Sequence, residues 1–367
     1  MRVTISRNNL HHLLATVSVA GGKNPTYPII SNVALYATEE GILQAVGNNL
    51  NQEVSSSTSC EVAEAGALTV AYKRLKDIAQ NLPEDATVSL SVTEGEKLSV
   101  RSGRSRFSLA TIPEQEFPRI ETEKVTKHVS LRRTDLLNCL KGTSFCAGKA
   151  DVRHYLNGIL VEANGEGLNF VGTDGIRLSH IALDVSVNFE ARIIIPNAAV
   201  NEIIKMATQS AADVINLGLA ERHIVVSDGQ TTLASVLLGG EYPDYQRVIP
   251  KSNNNIVVLP KHDLLGLLKR SATLSDETSR LVRLTLKENK LIAESSNAHD
   301  ESCDDAIEVS YDQAPFTIGL NLNHISEIIS NTVADEVQMK FGCANTAIVV
   351  NPVGQTNQTF LQMPIRL

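Results

Sequence analysis

At 367 residues the chain exceeds what one hydrophobic core usually supports, and its 43% apolar content is ordinary for a globular protein, so two or three domains are expected. A formal net charge of −8 argues against a uniformly basic nucleic-acid-binding surface. No apolar run approaches the roughly 18 residues of a bilayer span, MRVTISRNNL lacks the apolar stretch of a signal peptide, and the scattered Cys60, Cys139, Cys146, Cys303 and Cys343 form no CxxC pair. These features exclude a disulfide framework and a zinc ribbon, and fit a cytoplasmic protein.

In chain order, the first element is an alternating strand that runs into leucines at helical spacing, VTISRNNLHHLL from Val3. The same unit returns as VSLRRTDLLNCL from Val129 and as VVLPKHDLLGLL from Val257. Each third then holds a second strand–helix unit: LTVAYKRLKDIAQNL from Leu68, RIIIPNAAVNEIIKMA from Arg192, and FTIGLNLNHISEII from Phe316. Leu75, Ile78 and Leu82 share one helical face, as do Val200, Ile203 and Ile204, and Leu322, Ile325, Ile328 and Ile329. Between the helices the period falls to two, in ATVSLSV, EKLSVRS, RFSLATI, VINLGLA, HIVVSD and LVRLTL. Turn signals follow at Glu94-Gly95, Asn164-Gly165, Asp228-Gly229 and Glu288-Asn289. The pattern predicts an α+β fold of three tandem domains, 1–126, 127–255 and 256–367. Each is a pair of strand–helix–meander units, with helices on one face of antiparallel sheets.

Charge is unevenly distributed. The helical windows 7–18, 71–82, 131–143, 196–209, 260–272 and 321–332 together carry +6, which leaves −14 for the rest of a chain of net −8. A charged helix face is commonly only a solvated one, but a shared bias suits a positive lining for a polyanion inside an acidic exterior. Helices are about 10 Å wide, so six around a ring leave a hole of about 9 Å and twelve a hole of about 28 Å. A duplex roughly 20 Å across needs the larger ring, and hence two chains.

Motifs for chemistry are absent: the chain has no Walker loop, GxGxxG, HExxH or GxSxG. Asp174 reads as part of an Asp-Gly turn rather than a general base, and the run Asp300, Glu301, Asp304, Asp305 as an exposed edge strand rather than a metal site. Longer strings are more telling: RSGRSRFSL from Arg101, DVRHYLNGIL from Asp151, VGTDGIRL from Val171, GGEYPDYQRVIP from Gly239 and the terminal MPIRL from Met363. In this order and spacing they resemble the bacterial DNA polymerase III β subunit family, the replication sliding clamps, from the first residues to the last.

The resemblance implies a ring-shaped homodimer on double-stranded DNA, with helices lining the hole and sheets outside. It implies no catalysis, cofactor or metal. Its partners would be a replicative polymerase subunit, a clamp-loader ATPase and other proteins carrying clamp-binding peptides, with no membrane. A peptide cleft would be built from Leu156, Thr173, Gly175, Arg177, Leu178, Pro243, Arg247, Val248, Asn321, His324, Met363, Pro364, Ile365, Arg366 and Leu367. Its apolar residues would form the groove, and Arg177, Arg247 and Arg366 would present donors to a peptide with a Gln and a terminal hydrophobic pair. Ile176 stands where related clamps often have His, and His324 where an aromatic Tyr occurs. DNA contacts would come from Lys23, Asn24, Lys73, Lys149, His154 and Tyr155. At the dimer contact, Arg74, Ile78, Phe107 and Leu109 would face Thr273, Leu274 and Asp304, although Phe107 taken alone equally fits a buried core aromatic. The alternative to a DNA-encircling ring is a monomeric, non-catalytic peptide-binding scaffold.

Overall fold

The computed structural model describes residues 1–21, 27–93, 97–120 and 125–367. Lys23, Asn24 and the Glu94-Gly95 turn lie outside the described residues. Among the described residues, six α-helices start directly from strands: α1 (Arg7–Thr16), α2 (Tyr72–Asn81), α3 (Arg133–Ser144), α4 (Asn197–Gln209), α5 (Lys261–Ser271) and α6 (Leu322–Asn331). Five lie within the windows expected from periodicity, and α3 runs one residue past its window, to Ser144. Leucines and isoleucines at three- and four-residue spacing are buried: Leu10, Leu13 and Leu14 on α1, Leu264, Leu267 and Leu268 on α5, and Leu322, Ile325, Ile328 and Ile329 on α6. Ile78 and Ile204 sit at the margin of their faces and are only partly buried. Side-chain caps start two of the helices: Ser6 Oγ accepts from Asn9 N at 3.1 Å, and Asn321 Oδ1 from His324 N at 3.1 Å.

The repeat is visible at atomic scale. The first helical residue of α1, α3 and α5 donates its backbone N–H to Ala86, Asp213 and Asp335 respectively, each at 2.8 Å. Its cationic side chain then reaches the C-terminal end of the second helix of the same third. Arg7 donates to the carbonyls of Ala79 and Gln80 at 2.8 and 2.7 Å, Arg133 to Ala212 and Ala207 at 3.0 and 3.4 Å, and Lys261 to Ser330 and Thr332 at 3.0 and 2.6 Å. Such cations satisfy carbonyls that have no helical partner and complement the helix dipole. Part of the helical positive charge therefore works inside the fold and does not line a surface. Lys205 of α4 is spent in the same way, on Ala15 O and Ser18 Oγ at 3.2 and 2.6 Å.

The chain packs as two compact units, one of Met1–Leu136 with Asn201–Leu237, the other of Leu137–Val200 with Leu238–Leu367. Among the described residues the first unit carries a thirteen-stranded antiparallel sheet, and the second an eight-stranded and a four-stranded sheet. Strand pairing explains why packing divides the chain differently from the repeat. Within the first unit, Gln52–Ser59 pairs with Thr231–Val236, and Ser56 and Thr231 share a hydroxyl hydrogen bond of 3.0 Å. Within the second, Arg177–Leu183 pairs with Gln358–Gln362. Both junctions join the outermost strand of one meander to that of another.

The third copy of this junction is not made within the chain. Ser302–Glu308 pairs with Lys290–Ser296 alone and ends its sheet. Its side chains alternate between exposed and half-buried, and it carries Asp304, Asp305 and Glu308. The other half of such a junction would be Ser105–Ile112. It pairs with Lys97–Ser102 and, through Thr111 and Ile112 only, with Gly66–Ala71. Among the described residues, Ser105–Ala110 and Ser302–Glu308 are thus left with an open edge.

Candidate partner-binding cleft

The cleft begins with a tight turn. Strands Leu168–Thr173 and Arg177–Leu183 are paired with Thr173 opposite Leu178, and Asp174, Gly175 and Ile176 close the hairpin. Asp174 Oδ1 accepts from the backbone N–H groups of Ile176 and Arg177, both at 2.9 Å. The Thr173 hydroxyl accepts from Gly175 N at 3.0 Å and donates to Arg177 O at 2.7 Å. Gly175 has φ +88°, and a Cβ there would meet the Arg153 guanidinium at 3.0 Å, so both backbone and space favour glycine. Asp174 is therefore a turn residue, held in place by neighbouring N–H groups and by Arg177.

This turn forms one wall of an apolar groove of about 140 Å³. Its floor is Leu156, Leu178 and Leu361, all nearly fully buried. Pro243, Tyr245 and Val248 form the facing wall, and Ile176, Val248 and Met363 stand at the rim, each about half exposed. The groove is firm underneath: Tyr242 Oη donates to Val171 O at 3.2 Å, and Tyr245 Oη to Glu162 Oε2 at 3.1 Å. The C-terminal tail is anchored at two points, Met363 N to Ile176 O and Ile365 N to Gly319 O, both 2.8 Å. A larger concavity of about 610 Å³ on the four-stranded sheet is lined by polar groups such as Asp276, Arg283, Glu294 and Asp304 and lacks such an apolar floor.

Of the residues expected in the cleft, the structure brings together Leu156, Thr173, Gly175, Arg177, Leu178, Pro243, Val248 and Met363. Arg247, Asn321, His324, Pro364, Ile365, Arg366 and Leu367 do not line it. Arg247 is exposed and ion-paired with Asp244 at 2.9 Å, Asn321 is the cap of α6, and His324 is half-buried in the first turn of that helix. Arg153, Ile176, Tyr245, Ala347 and Leu361 join the lining. Leu361 follows Phe360 directly in QTFLQ, where apolar and polar residues do not alternate, so neither it nor Ala347 had a local signal. Arg177 was expected to donate to peptide carbonyls. Its guanidinium is turned inward, donating to Asp174 Oδ2 at 3.0 Å, to Phe145 O at 2.8 Å and to Glu327.

Lys73, Lys149 and His154 are exposed, whereas Tyr155 is part-buried and packs against the apolar cluster under the cleft. Arg74, Thr273 and Asp304 are exposed, and Ile78 and Leu274 partly so. Phe107 is 36% exposed and is no core aromatic, while Leu109 is buried at 8%, leaving little of it for a partner. Among the described residues no group of three or more His, Cys, Asp or Glu is placed to hold a metal ion, and no helix is long and apolar enough to cross a membrane.

Three family models match in succession: the DNA polymerase III beta subunit N-terminal domain over residues 1–121, its central domain over 130–244 and its C-terminal domain over 246–366. The chain is 32% identical to the beta sliding clamp of Pseudomonas aeruginosa and 30% identical to that of Escherichia coli K12, in both cases over 100% of each chain. The chain belongs to the beta sliding clamp family. Solved sliding clamps share its fold from end to end. One from Pseudomonas aeruginosa with a ligand matches with a TM-score of 0.95 at 30% identity, and the Caulobacter crescentus polymerase III beta with 0.94 at 27%, each covering 100% of both chains. The fold is thus that of a three-domain sliding clamp, and the chain is a processivity clamp of the DNA polymerase III type.

Proposed function

We propose that two copies of this chain join head to tail into a closed ring around duplex DNA, and that the cleft of each copy holds linear peptides from the replicative polymerase subunit, the clamp-loader ATPase and other partners. The observation that carries this reading is the unfinished third junction. Two of the three repeated strand pairings are completed inside the chain, and the edges of the third stay open at Ser105–Ala110 and Ser302–Glu308. An open edge pairs readily with another chain, and a heterologous contact closes into a ring when its rotation closes. The two edges are complementary. Arg104, Arg106 and half-exposed Phe107 lie at one, and Asp304, Asp305 and Glu308 on the other, with Leu274 nearby in sequence to a neighbouring helix end. Opposite charges set register while apolar contacts supply adhesion.

Lys73, Lys149 and His154 are free to meet phosphates without reading sequence. Few such contacts are needed, since a ring is retained by topology. Tethering then raises the effective concentration of a bound polymerase at the primer end. Such a ring lets go only by opening, which is the task a loader would perform.

Sedimentation equilibrium should give a dimer of about twice 39.7 kDa. Leu274→Ala should weaken that dimer about tenfold, as for a truncated interface side chain. The protein, once loaded, should persist on circular DNA and run off linear DNA. A monomer at micromolar concentration, or equal retention on both DNAs, refutes the ring and leaves a monomeric peptide-binding scaffold.

A further inference from the structure

A charged group lies at the back of the cleft. Arg177 lines the groove, yet only 7% of it is exposed. Its guanidinium reaches three elements of the same unit. It donates through Nε to Asp174 in the hairpin turn at 3.0 Å, through one terminal nitrogen to Phe145 O just past the end of α3 at 2.8 Å, and through the other to the Glu327 carboxylate on α6. The cation also lies 5.7 Å from the centre of the Phe145 ring. These partners take three of its five N–H donors, one from each nitrogen, and a buried guanidinium stripped of them would be an uncompensated charge.

The turn that Arg177 holds is the one that shapes the rim. Ile176 projects from it, and the Ile176 carbonyl fixes the backbone of Met363 at 2.8 Å. Two of the half-exposed apolar rim residues therefore take their positions from this turn. Its own hydrogen bonds define the turn's shape but not its placement against α6. A direct link to α6 is supplied by Arg177, and the group answering it there is Glu327, whose side chain is half exposed.

We propose that Arg177 is a positioning residue and not a donor to the bound peptide, and that Glu327, outside the groove, is the counter-ion through which α6 sets the cleft rim. The inference rests on the reading of the cleft as a peptide site. The two candidate roles of Arg177 predict opposite signs for one substitution. If Arg177 positions the rim, Glu327→Gln lets the turn drift and weakens binding. If Arg177 is a ligand donor, Glu327→Gln frees the guanidinium and strengthens binding or leaves it unchanged.

The test is fluorescence anisotropy with a labelled peptide carrying a Gln and a terminal Leu-Phe pair, titrated with the full-length protein. Glu327→Gln should raise the dissociation constant about five- to tenfold, the size of an ordinary contact-coupling term, while sedimentation and the melting curve stay close to wild type. Glu327→Asp, which keeps the charge, should recover most of the affinity. Unchanged or tighter binding by Glu327→Gln overturns the inference, and so does an equal loss in Glu327→Asp, which would mean lost packing and not lost charge. A wild-type protein that fails to bind the peptide removes the cleft reading itself.

Discussion

The second position of one strand is occupied by a leucine in one unit and a glutamate in the other, and the two surroundings differ accordingly. Strand register makes the positions equivalent: Thr173 faces Leu178 across one hairpin, and Asn48 faces Glu53 across another. Each is also a junction residue, Leu178 opposite Leu361 and Glu53 opposite Ala234. Leu178 offers no hydrogen bond to the segment that follows the junction, so that segment packs by Tyr245 and Ile249 and leaves a groove. Glu53 is 5% exposed and grips the corresponding segment. Its carboxylate accepts from Arg119 Nε, Ile120 N and Asn48 Nδ2 at 3.0, 3.0 and 3.1 Å, and Asn48 Nδ2 also reaches Pro118 O at 3.1 Å. Phe117 is thereby held against Ala34 and Val46. A duplicated scaffold thus carries an open apolar groove in one place and a closed seam in another, and the polarity of one inward side chain differs between them. A buried carboxylate must be fully partnered, and partnering it closes the site.

The comparison breaks most severely with Leu178→Glu. That substitution puts an unpartnered carboxylate on an apolar floor, at a cost of several kcal/mol. Peptide binding should vanish in anisotropy, and the first urea transition should move to lower concentration. Retained binding would mean that the floor is not where the peptide lies. Glu53→Ala should cost about 2 kcal/mol, because it strands Asn48 and the Ile120 amide. Chemical denaturation should register the loss while peptide affinity stays unchanged; a change in affinity would contradict the separation of the two sites. Acid should have the smallest effect, and it should act in the cleft unit. Burial lowers the pKa of His180 and of His324 from the ordinary 6.5, and for His324 the neighbouring Arg177 adds to the effect. The unfolded chain then takes up protons first, so stability is whole above about pH 6.5 and declines as pH falls below it. Melting temperatures recorded from about pH 7.5 down to about 5.5 should fall, and His324→Gln should flatten that slope.

Much of this was legible before the structure. Helix positions followed from three- and four-residue spacing, strands from alternation, and the turn at Asp174-Gly175 from its dipeptide. Leu156, Leu178, Pro243, Val248 and Met363 of the groove lining were named through the strings that resemble the family, while Tyr245, Ala347 and Leu361 were not. Three things were not. Arg177 read as a donor to a ligand, and its bonds to Asp174, Phe145 and Glu327, of which only Asp174 is near in sequence, were not foreseen. Leu109 read as interface and is buried. Arg7, Arg133 and Lys261 read as surface charge and are helix-terminal donors to segments more than sixty residues away.

What the amino-acid order determined by itself was the repeat, the α+β class, the alternation of faces and the family. Each depends on spacing within a few residues or on the succession of strings along the chain. Tertiary structure alone decided which junctions close, that a segment seals over Glu53 while a groove stays open above Leu178, and where each cation of the helix starts finds its partners. Periodicity says which side of an element is hidden. It does not say what lies opposite, because hydrogen-bond partners a hundred residues apart leave no mark on local pattern.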